Sequence, residues 1–132
     1  MATIEGSLID SGIFLEVLLG QERMELCRAA LKERENNLIV TDFALHSVGL
    51  VLLRYKRREA YVEFFRDLAP RLDVRSLPVS EYPALLDTHE RYSLDFDDAY
   101  QLATASYFGL SLLTLDSDFT KAKDIVPVTI LR

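Results

Sequence analysis

Short apolar runs, rich in β-branched residues, alternate along the chain with longer stretches in which apolar residues recur every three or four positions. The short runs predict β-strands and the longer stretches predict amphipathic helices. The predicted strands are GSLID ending at Asp10, NLIVT ending at Thr41, LDVRSL at 72–77, LSLLT ending at Thr114 and VPVTIL at 126–131. The predicted helices lie near 12–18, 22–35, 42–58, 59–69, 80–91 and 96–108, and FTKAKD predicts one further helical turn.

This alternation predicts an α/β fold, because strands separated by helices form parallel sheets through right-handed crossovers. We expect a three-layer sandwich in which helices flank a parallel five-stranded sheet. Asp10 follows the first strand and Asp116 comes two residues after the fourth, so both should lie at the carboxyl edge of the sheet. If these two strands are neighbours, the order is 3-2-1-4-5, and the aspartates flank the point where strand order reverses.

Composition narrows the class of protein. The 132 residues, 49% hydrophobic and 27% charged, are typical of a single globular domain, 1–132. No apolar run approaches the roughly 20 residues that span a membrane, and MATIEGSL lacks the basic residues of a secretory signal. The single cysteine, Cys27, excludes an internal disulfide and favours a cytoplasmic location.

The charged residues are unevenly distributed. A net charge of −6 argues against broad nonspecific nucleic-acid binding, but it does not exclude a nuclease whose acidic groups surround a cation. The segment RYKRRE contains a basic cluster that consists of Arg54, Lys56, Arg57 and Arg58. The cluster fits the solvated end of a helix, and it also fits a surface that contacts RNA phosphates, with Tyr55 available for stacking.

Three aspartates begin the predicted helix in DFDDAYQLATASYFGL. Asp98 starts a row with Leu102, four residues later, on the face that we expect to pack against the sheet. Asp97 starts a more polar row. We therefore expect Asp98 to point inward, and Asp95 and Asp97 to cap the helix and interact favourably with its dipole.

A further acidic turn, TLDSDF, follows the fourth strand. Taken alone, Asp116 and Asp118 fit an Asx turn that starts a short helix. Inward-pointing carboxylates at Asp10, Asp98 and Asp116, however, cannot share one pocket without compensation. A hard divalent cation, Mg²⁺ or Mn²⁺, supplies it, and such an ion supports phosphodiester hydrolysis.

Other catalytic arrangements find little support in the sequence. No serine or cysteine forms an evident pair with a histidine, and His46 and His89 fit structural or surface positions better than catalytic ones. The five glycines are scattered singly, so no phosphate-binding loop is indicated.

The segments LIDSGIFLEVLLG, VTDFAL and LDFDDAYQLATASYFGLSLLTLDSDF resemble the PIN domain family, and most closely the VapC-type toxins of toxin–antitoxin pairs. The resemblance covers nearly the whole chain, although positions 59–92 add little to it. It implies a Mg²⁺- or Mn²⁺-dependent ribonuclease with an RNA substrate, a cognate antitoxin and a homodimeric assembly. The apolar segment GIFLEVLLG suggests that the early helices form the dimer interface.

The resemblance also implies roles for individual residues. The family's aspartates fall on Asp10, Asp98 and Asp116, which become the implied catalytic and metal-binding residues. The other matched positions are Thr114, whose hydroxyl is implied to orient the carboxylates; Asp118, a further acidic position; and Ser11, a small polar residue after the first aspartate.

One position departs from the family pattern. The family usually has a glutamate six residues after the Ser or Thr that opens the second helix, and counting from Thr41 gives Ser47. Asp42 and His46 are poor substitutes because they lie about 140° and about 100° away around the helix. A hydroxyl lacks the charge of a carboxylate, so the departure predicts weaker metal binding and reduced or absent activity.

Two alternatives to an active ribonuclease remain. The first is a noncatalytic PIN-fold module that binds RNA or a protein; Ser47 favours it, and the three aspartates oppose it. The second is a phosphotransfer receiver domain, which requires an acid at the end of a mid-chain strand. Because LDVRSL ends without one, the second alternative has the weaker support.

Overall fold

A parallel five-stranded sheet organises the computed structural model, which describes residues 6–132. The strands are β1 (Ser7–Ile9), β2 (Ile39–Thr41), β3 (Asp73–Arg75), β4 (Ser111–Thr114) and β5 (Val128–Ile130). Their order is β3-β2-β1-β4-β5, and every neighbouring pair is parallel. The predicted fold class and strand order are confirmed. The sequence prediction that MATIEGSL is not a secretory signal falls mostly outside the described residues, since MATIE (1–5) precedes them.

Helices connect the strands as the sequence predicts. They are α1 (Ser11–Leu18), α2 (Met24–Glu33), α3 (Asp42–Arg54), α4 (Arg58–Glu63), α5 (Pro83–Tyr92) and α6 (Phe96–Tyr107). A π-helical turn (Phe64–Leu68) and 3₁₀ turns (Ala69–Arg71, Val79–Glu81, Ser117–Ala122) complete the connections. Helix α3 ends before the predicted position 58, because Lys56 adopts a left-handed φ of 57° that the helix cannot continue through.

Side chains of the strands alternate between two hydrophobic cores, one on each face of the sheet. Leu8, Ile39 and Leu112 pack in the core that contains Leu102 of α6. The next residue of each strand packs in the other core with α1, α2 and α3; these residues are Ile9, Val40 and Leu113. Successive residues of a strand point to opposite faces, so a sheet buried on both sides needs an unbroken apolar run. The predicted three-layer sandwich therefore has a core in each of its two interfaces.

The apolar segment after β1 is largely used within the domain. Leu15, Leu18 and Leu19 are partly buried against the core beneath α1, α2 and α3. Within residues 6–132, no helix combines the length and the apolar character that crossing a membrane requires.

Candidate active site

Asp10 follows β1 at the carboxyl edge of the sheet. Its backbone N–H donates to the carbonyl oxygen of Leu113 at 2.9 Å, which extends the pairing of β1 with β4 by one residue. Asp10 occupies the N-cap position of α1, yet its side chain makes no capping hydrogen bond. The carboxylate is therefore left to meet partners from other parts of the chain.

Two buried polar side chains hold that carboxylate. The Thr114 hydroxyl donates to Oδ2 of Asp10 at 2.7 Å, and the Gln101 amide donates to Oδ1 at 3.2 Å. Gln101 in turn accepts a hydrogen bond from the Thr41 hydroxyl at 2.6 Å, and Thr41 caps α3 by accepting from the backbone N–H of Ala44. Thus β2, β4 and α6 jointly fix the orientation of Asp10.

Burial raises the pKa of Asp10 above its usual range, because removal from water disfavours the charged form. Hydrogen bonds from Thr114, Gln101 and the Ser11 backbone oppose this shift, while the charge of Asp116 adds to it. Asp10 is therefore a half-buried acid with two oriented side-chain donors and an unfavourable acidic neighbour.

The three predicted metal ligands, Asp10, Asp98 and Asp116, all line one cavity of about 480 Å³, although their carboxylate oxygens do not all lie within 4.8 Å of one another. Asp98 is half-buried, and burial is the main cause that raises its pKa to about 7, followed by the charges of Asp97, Asp10, Asp116 and Asp95. Leu102 is fully buried, in keeping with the inward row predicted from Asp98.

Some of the other predicted site residues line this cavity, and others do not. Ser11 and Ser47 line it. Asp118 is exposed and does not line it; its backbone N–H donates to Oδ1 of Asp116 at 2.9 Å, so the Asx turn considered for TLDSDF is present. Asp116 therefore both makes the turn and faces the cavity. Its own N–H donates to the Thr114 hydroxyl oxygen at 3.0 Å.

The basic cluster lies on the surface outside the cavity. Arg54, Lys56, Arg57 and Arg58 are all exposed, at the end of α3 and the start of α4. Tyr55, in the same segment, is 62% exposed and does line the cavity. The cluster is thus connected to the cavity through one aromatic side chain.

The start of α6 differs from the capping arrangement that we expected. Asp95 is the N-cap residue but makes no side-chain capping bond, and Asp97 lines the cavity. Among residues 6–132, the one group of three or more possible metal ligands whose ligand atoms all lie within 4.8 Å of one another is Asp95, Asp97 and Asp98. The polar row behind Asp97 also turns inward, since Gln101 is only 2% exposed. Helical angles place Asp97 and Asp98 on different faces of α6, but both line the cavity because they lie in the first turn of the helix.

Sequence reasoning missed three residues of the site. Gln101 is one, although a polar residue in an alanine-rich helix was an available signal. The others are Glu16, which is buried, and Arg23, both of which line the cavity. Glu16 accepts the backbone N–H of Arg23 at 2.6 Å, and its carboxylate lies 3.9 Å from Nε of Arg23. Their pairing depends on the turn between α1 and α2, which no sequence pattern specifies.

The profile of the PIN domain family matches residues 7–125, so the chain belongs to the PIN domain family. The match includes β1, α6 and β4, and therefore the residues that line the cavity. No curated protein sequence matches the chain.

Solved structures share the fold. A toxin–antitoxin complex from Klebsiella pneumoniae is similar with a TM-score of 0.73 and 20% identity over 93% of this chain and 95% of that chain. FitAcB from Neisseria gonorrhoeae gives a TM-score of 0.67 and 22% identity over 92% and 94% of the two chains. PAE2754 from Pyrobaculum aerophilum gives 0.66 and 20% over 93% and 90%.

PIN domains generally use divalent metal ions, and the acidic residues of this cavity fit such an ion. Asp98 is half-buried, and its pKa is raised first by burial and then by the like charges of neighbouring aspartates, which include Asp10 and Asp116. Arg23, the one lysine or arginine among the described residues that line the cavity, lies 3.9 Å from the carboxylate of Glu16. Oxygen ligands with unbalanced negative charge are the donor set that Mg²⁺ and Mn²⁺ prefer.

Proposed function

We propose that this PIN-domain protein is a metal-dependent endoribonuclease that hydrolyses phosphodiester bonds of RNA. PIN domains are generally nucleases. The observation that carries the proposal for this chain is the convergence of Asp10, Asp98 and Asp116, from β1, α6 and the turn after β4, on one cavity.

In this proposal Asp10, Asp98 and Asp116 hold Mg²⁺ or Mn²⁺. A divalent ion supplies an activated water and stabilises negative charge on phosphate oxygens. Asp98 must lose its proton to serve as a ligand, and its raised pKa means that proton release accompanies metal binding. The close group of Asp95, Asp97 and Asp98 is the alternative ligand set.

The surrounding residues position these carboxylates. Thr114 and Gln101 restrict Asp10 to one orientation, because each of its oxygens receives a hydrogen bond from a buried donor. The backbone N–H of Asp118 helps to orient Asp116 by donating a hydrogen bond to one of its carboxylate oxygens. Ser11 and Ser47 are hydroxyl groups on the cavity wall that can hydrogen-bond water or substrate.

The exposed basic cluster is proposed to guide the RNA backbone. Arg54, Lys56, Arg57 and Arg58 can neutralise phosphates on the strand as it approaches a cavity of opposite charge. Tyr55, between the cluster and the cavity, offers a ring on which a base can stack. Binding should therefore weaken steeply as salt concentration increases.

A cytoplasmic toxin with a cognate antitoxin is the proposed biological setting. One of the similar structures is a toxin–antitoxin complex, which supports an antitoxin partner. We also propose a homodimer formed through the early helices. Sedimentation at micromolar concentration should show a dimer, and a monomer under these conditions would contradict the proposed assembly.

Ser47 supports a second candidate, a noncatalytic PIN-fold module that binds RNA or a protein. The side chain lines the acidic cavity, so a glutamate here would contribute its charge to the site. A serine leaves the site with less negative charge for a divalent ion. The module would bind RNA without cleaving it.

An RNA cleavage assay with Mg²⁺ or Mn²⁺ distinguishes the two candidates. Wild-type protein should cleave RNA, and Asp98→Asn should abolish cleavage while remaining folded. Asp87→Asn, which changes an exposed aspartate on α5, is the matched control and should retain full activity. RNA binding by the wild-type protein without metal-dependent cleavage would favour the binding module.

Titration of the wild-type protein and of further aspartate variants with Mn²⁺ tests which residues bind the metal. Asp10→Asn and Asp116→Asn should weaken Mn²⁺ binding, whereas Asp95→Asn should leave it nearly unchanged. The opposite result would assign the ion to Asp95, Asp97 and Asp98.

A further inference from the structure

A second cavity, of about 290 Å³, adjoins the candidate active site near the starts of α3, α5 and α6. Four aromatic side chains line it, and we call it the aromatic cleft: Phe43, Tyr82, Phe96 and Tyr100. Phe43 and Asp97 line both this cleft and the active-site cavity. A ligand that occupies one is therefore next to the other.

Two rings of the aromatic cleft pack against a third, Tyr100, which is buried and hydrogen-bonded. Tyr100 is buried, donates its hydroxyl to Asp42 at 2.7 Å and accepts the backbone N–H of Leu77 at 3.0 Å. The rings of Phe43 and Tyr82 lie 6.4 and 5.9 Å from that of Tyr100, between centroids. Such contacts favour a fixed arrangement of the rings.

The other three rings of the aromatic cleft are nevertheless exposed to solvent. Phe43 and Tyr82 are each 40% exposed, and Phe96 is 53% exposed. Exposed aromatic faces next to a nucleic-acid site are suited to stacking with unpaired bases, since every base has an aromatic face.

The charges of the cleft indicate which part of a nucleotide fits. The described residues that line it include two carboxylates, Asp42 and Asp97, and one histidine, His46, but no lysine or arginine. Two carboxylates with no lysine or arginine beside them disfavour a phosphate here. Both oxygens of the Asp42 carboxylate accept side-chain hydrogen bonds, from Tyr100 and Ser76, whereas Asp97 accepts a backbone N–H at Oδ1 alone. Asp97, on the boundary of the two cavities, is therefore the better placed acceptor.

The edge of a base determines its fit to a carboxylate. Guanine presents two adjacent donors, N1–H and the N2 amino group, which can both bond to one carboxylate. Uracil presents a single N–H between two carbonyl oxygens, which a carboxylate repels. Adenine and cytosine, each with one amino group, are intermediate.

From this geometry we infer that the aromatic cleft binds a base of the RNA substrate beside the scissile phosphate, and that it prefers guanine to uracil. The inference rests on the proposed ribonuclease function. A cationic side chain of a protein partner also suits rings and carboxylates, but RNA is favoured because the cleft shares two residues with the cavity proposed to hold the reacting phosphate.

The test measures binding separately from cleavage. Short fluorescein-labelled oligouridine RNAs that carry one guanosine, one adenosine, one cytidine or no substitution are titrated with protein in Ca²⁺, by fluorescence anisotropy. Cleavage of the same RNAs is measured in Mn²⁺. The wild-type protein should bind the RNA with guanosine about tenfold more tightly than oligouridine.

Variants of the aromatic cleft should change either the affinity for RNA or the preference for guanosine. Phe96→Leu should weaken binding to the guanosine RNA by about tenfold, because it removes a stacking surface, whereas Phe96→Tyr should preserve binding. Asp97→Asn should remove the preference for guanosine. Tyr107→Leu is the matched control, since Tyr107 is a similarly exposed (51%) aromatic residue at the other end of α6, and it should bind as the wild type does.

The possible failures are distinguishable. If the wild-type protein cleaves RNA and Phe96→Leu binds and cleaves each of the four RNAs as well as the wild type does, the inference about the cleft is wrong and the proposed function stands. If Phe96→Leu changes only self-association or the binding of a protein partner, the cleft is a protein interface. If the wild-type protein neither binds nor cleaves any RNA, both proposals fail.

Discussion

Gln101 is hydrogen-bonded to Asp10 at 3.2 Å, although the two residues are 91 positions apart in the chain. The same side chain accepts a 2.6 Å hydrogen bond from Thr41. One amide thus links α6 to the ends of β1 and β2, in a region where Gln101 and Thr41 have almost no contact with water. A polar group that is buried without a hydrogen-bond partner lowers the stability of the folded protein.

Gln101→Ala should therefore destabilise the protein by about 1–3 kcal/mol, because it leaves the buried Thr41 hydroxyl and the half-buried Asp10 carboxylate each with one hydrogen bond fewer. Urea denaturation measures the loss. Gln21→Ala, at an exposed glutamine, is the control and should change stability little. Equal stability of the two variants would show that water replaces the Gln101 amide.

Stability of the metal-free protein should decrease as pH increases. Asp98 has a pKa of about 7 in the folded protein, raised from 3.8, so the folded state binds more protons than the unfolded state between these values. Its contribution is fully present below pH 3.8 and is lost as pH rises through about 7. Allowing for solvent screening of this half-buried group, the loss should be about 1–2 kcal/mol.

Urea denaturation in EDTA across this pH range tests the prediction. Asp98→Asn should flatten the dependence and should be more stable than the wild type at pH values above 7. Mn²⁺ should restore stability to the wild type at high pH, but not to the variant. A wild-type protein that becomes more stable as pH increases through 7 in EDTA would contradict the proposed electrostatic crowding.

Ser47→Glu should add a fourth carboxylate to the cavity. We expect Mn²⁺ affinity to increase about tenfold, or about 1.4 kcal/mol, with higher ribonuclease activity. Without metal the variant should be less stable than the wild type, because like charges are crowded. Leu50→Glu adds the same charge to an exposed position of α3 outside the cavity and should not tighten metal binding. Unchanged affinity in Ser47→Glu would mean that another acid already fills this place.

Arg23 is the one lysine or arginine among the described residues that line the acidic cavity. We predict that it contacts a phosphate of the bound RNA. Arg23→Gln should raise KM with little change in kcat and should reduce the salt dependence of binding by about one phosphate contact. Arg28→Gln, at an exposed arginine of α2, should leave both unchanged. A decrease in kcat alone would instead place Arg23 at the reacting phosphate.

The sequence carries most of the information about the fold. Apolar runs such as those ending at Asp10 and Thr114 identify the strands, and right-handed crossovers leave few strand orders to consider. The convergence of Asp10 and Asp116 on one cavity followed from that order, since Asp10 directly follows β1 and Asp116 comes two residues after the neighbouring β4. The contact of Asp98 with the same cavity followed from its position on the inner face of α6.

Residues that meet the site through irregular geometry escaped prediction. Arg23 reaches the cavity because the turn after α1 brings it back against Glu16. Asp97 borders two cavities because it lies in the first turn of α6, where residues on different faces of the helix can reach the same space. Neither relationship leaves a periodic signal in the chain.

The position of β1 in the middle of the sheet also has a consequence for synthesis of the protein. Because β1 pairs with β4, the strand made first must wait about a hundred residues for its second neighbour. Asp10, Gln101 and Thr114 then meet only after β4 has left the ribosome. A partly made chain has no complete active site, so on the proposed function a cell that makes this protein is exposed to the nuclease only once the sheet has closed around β1.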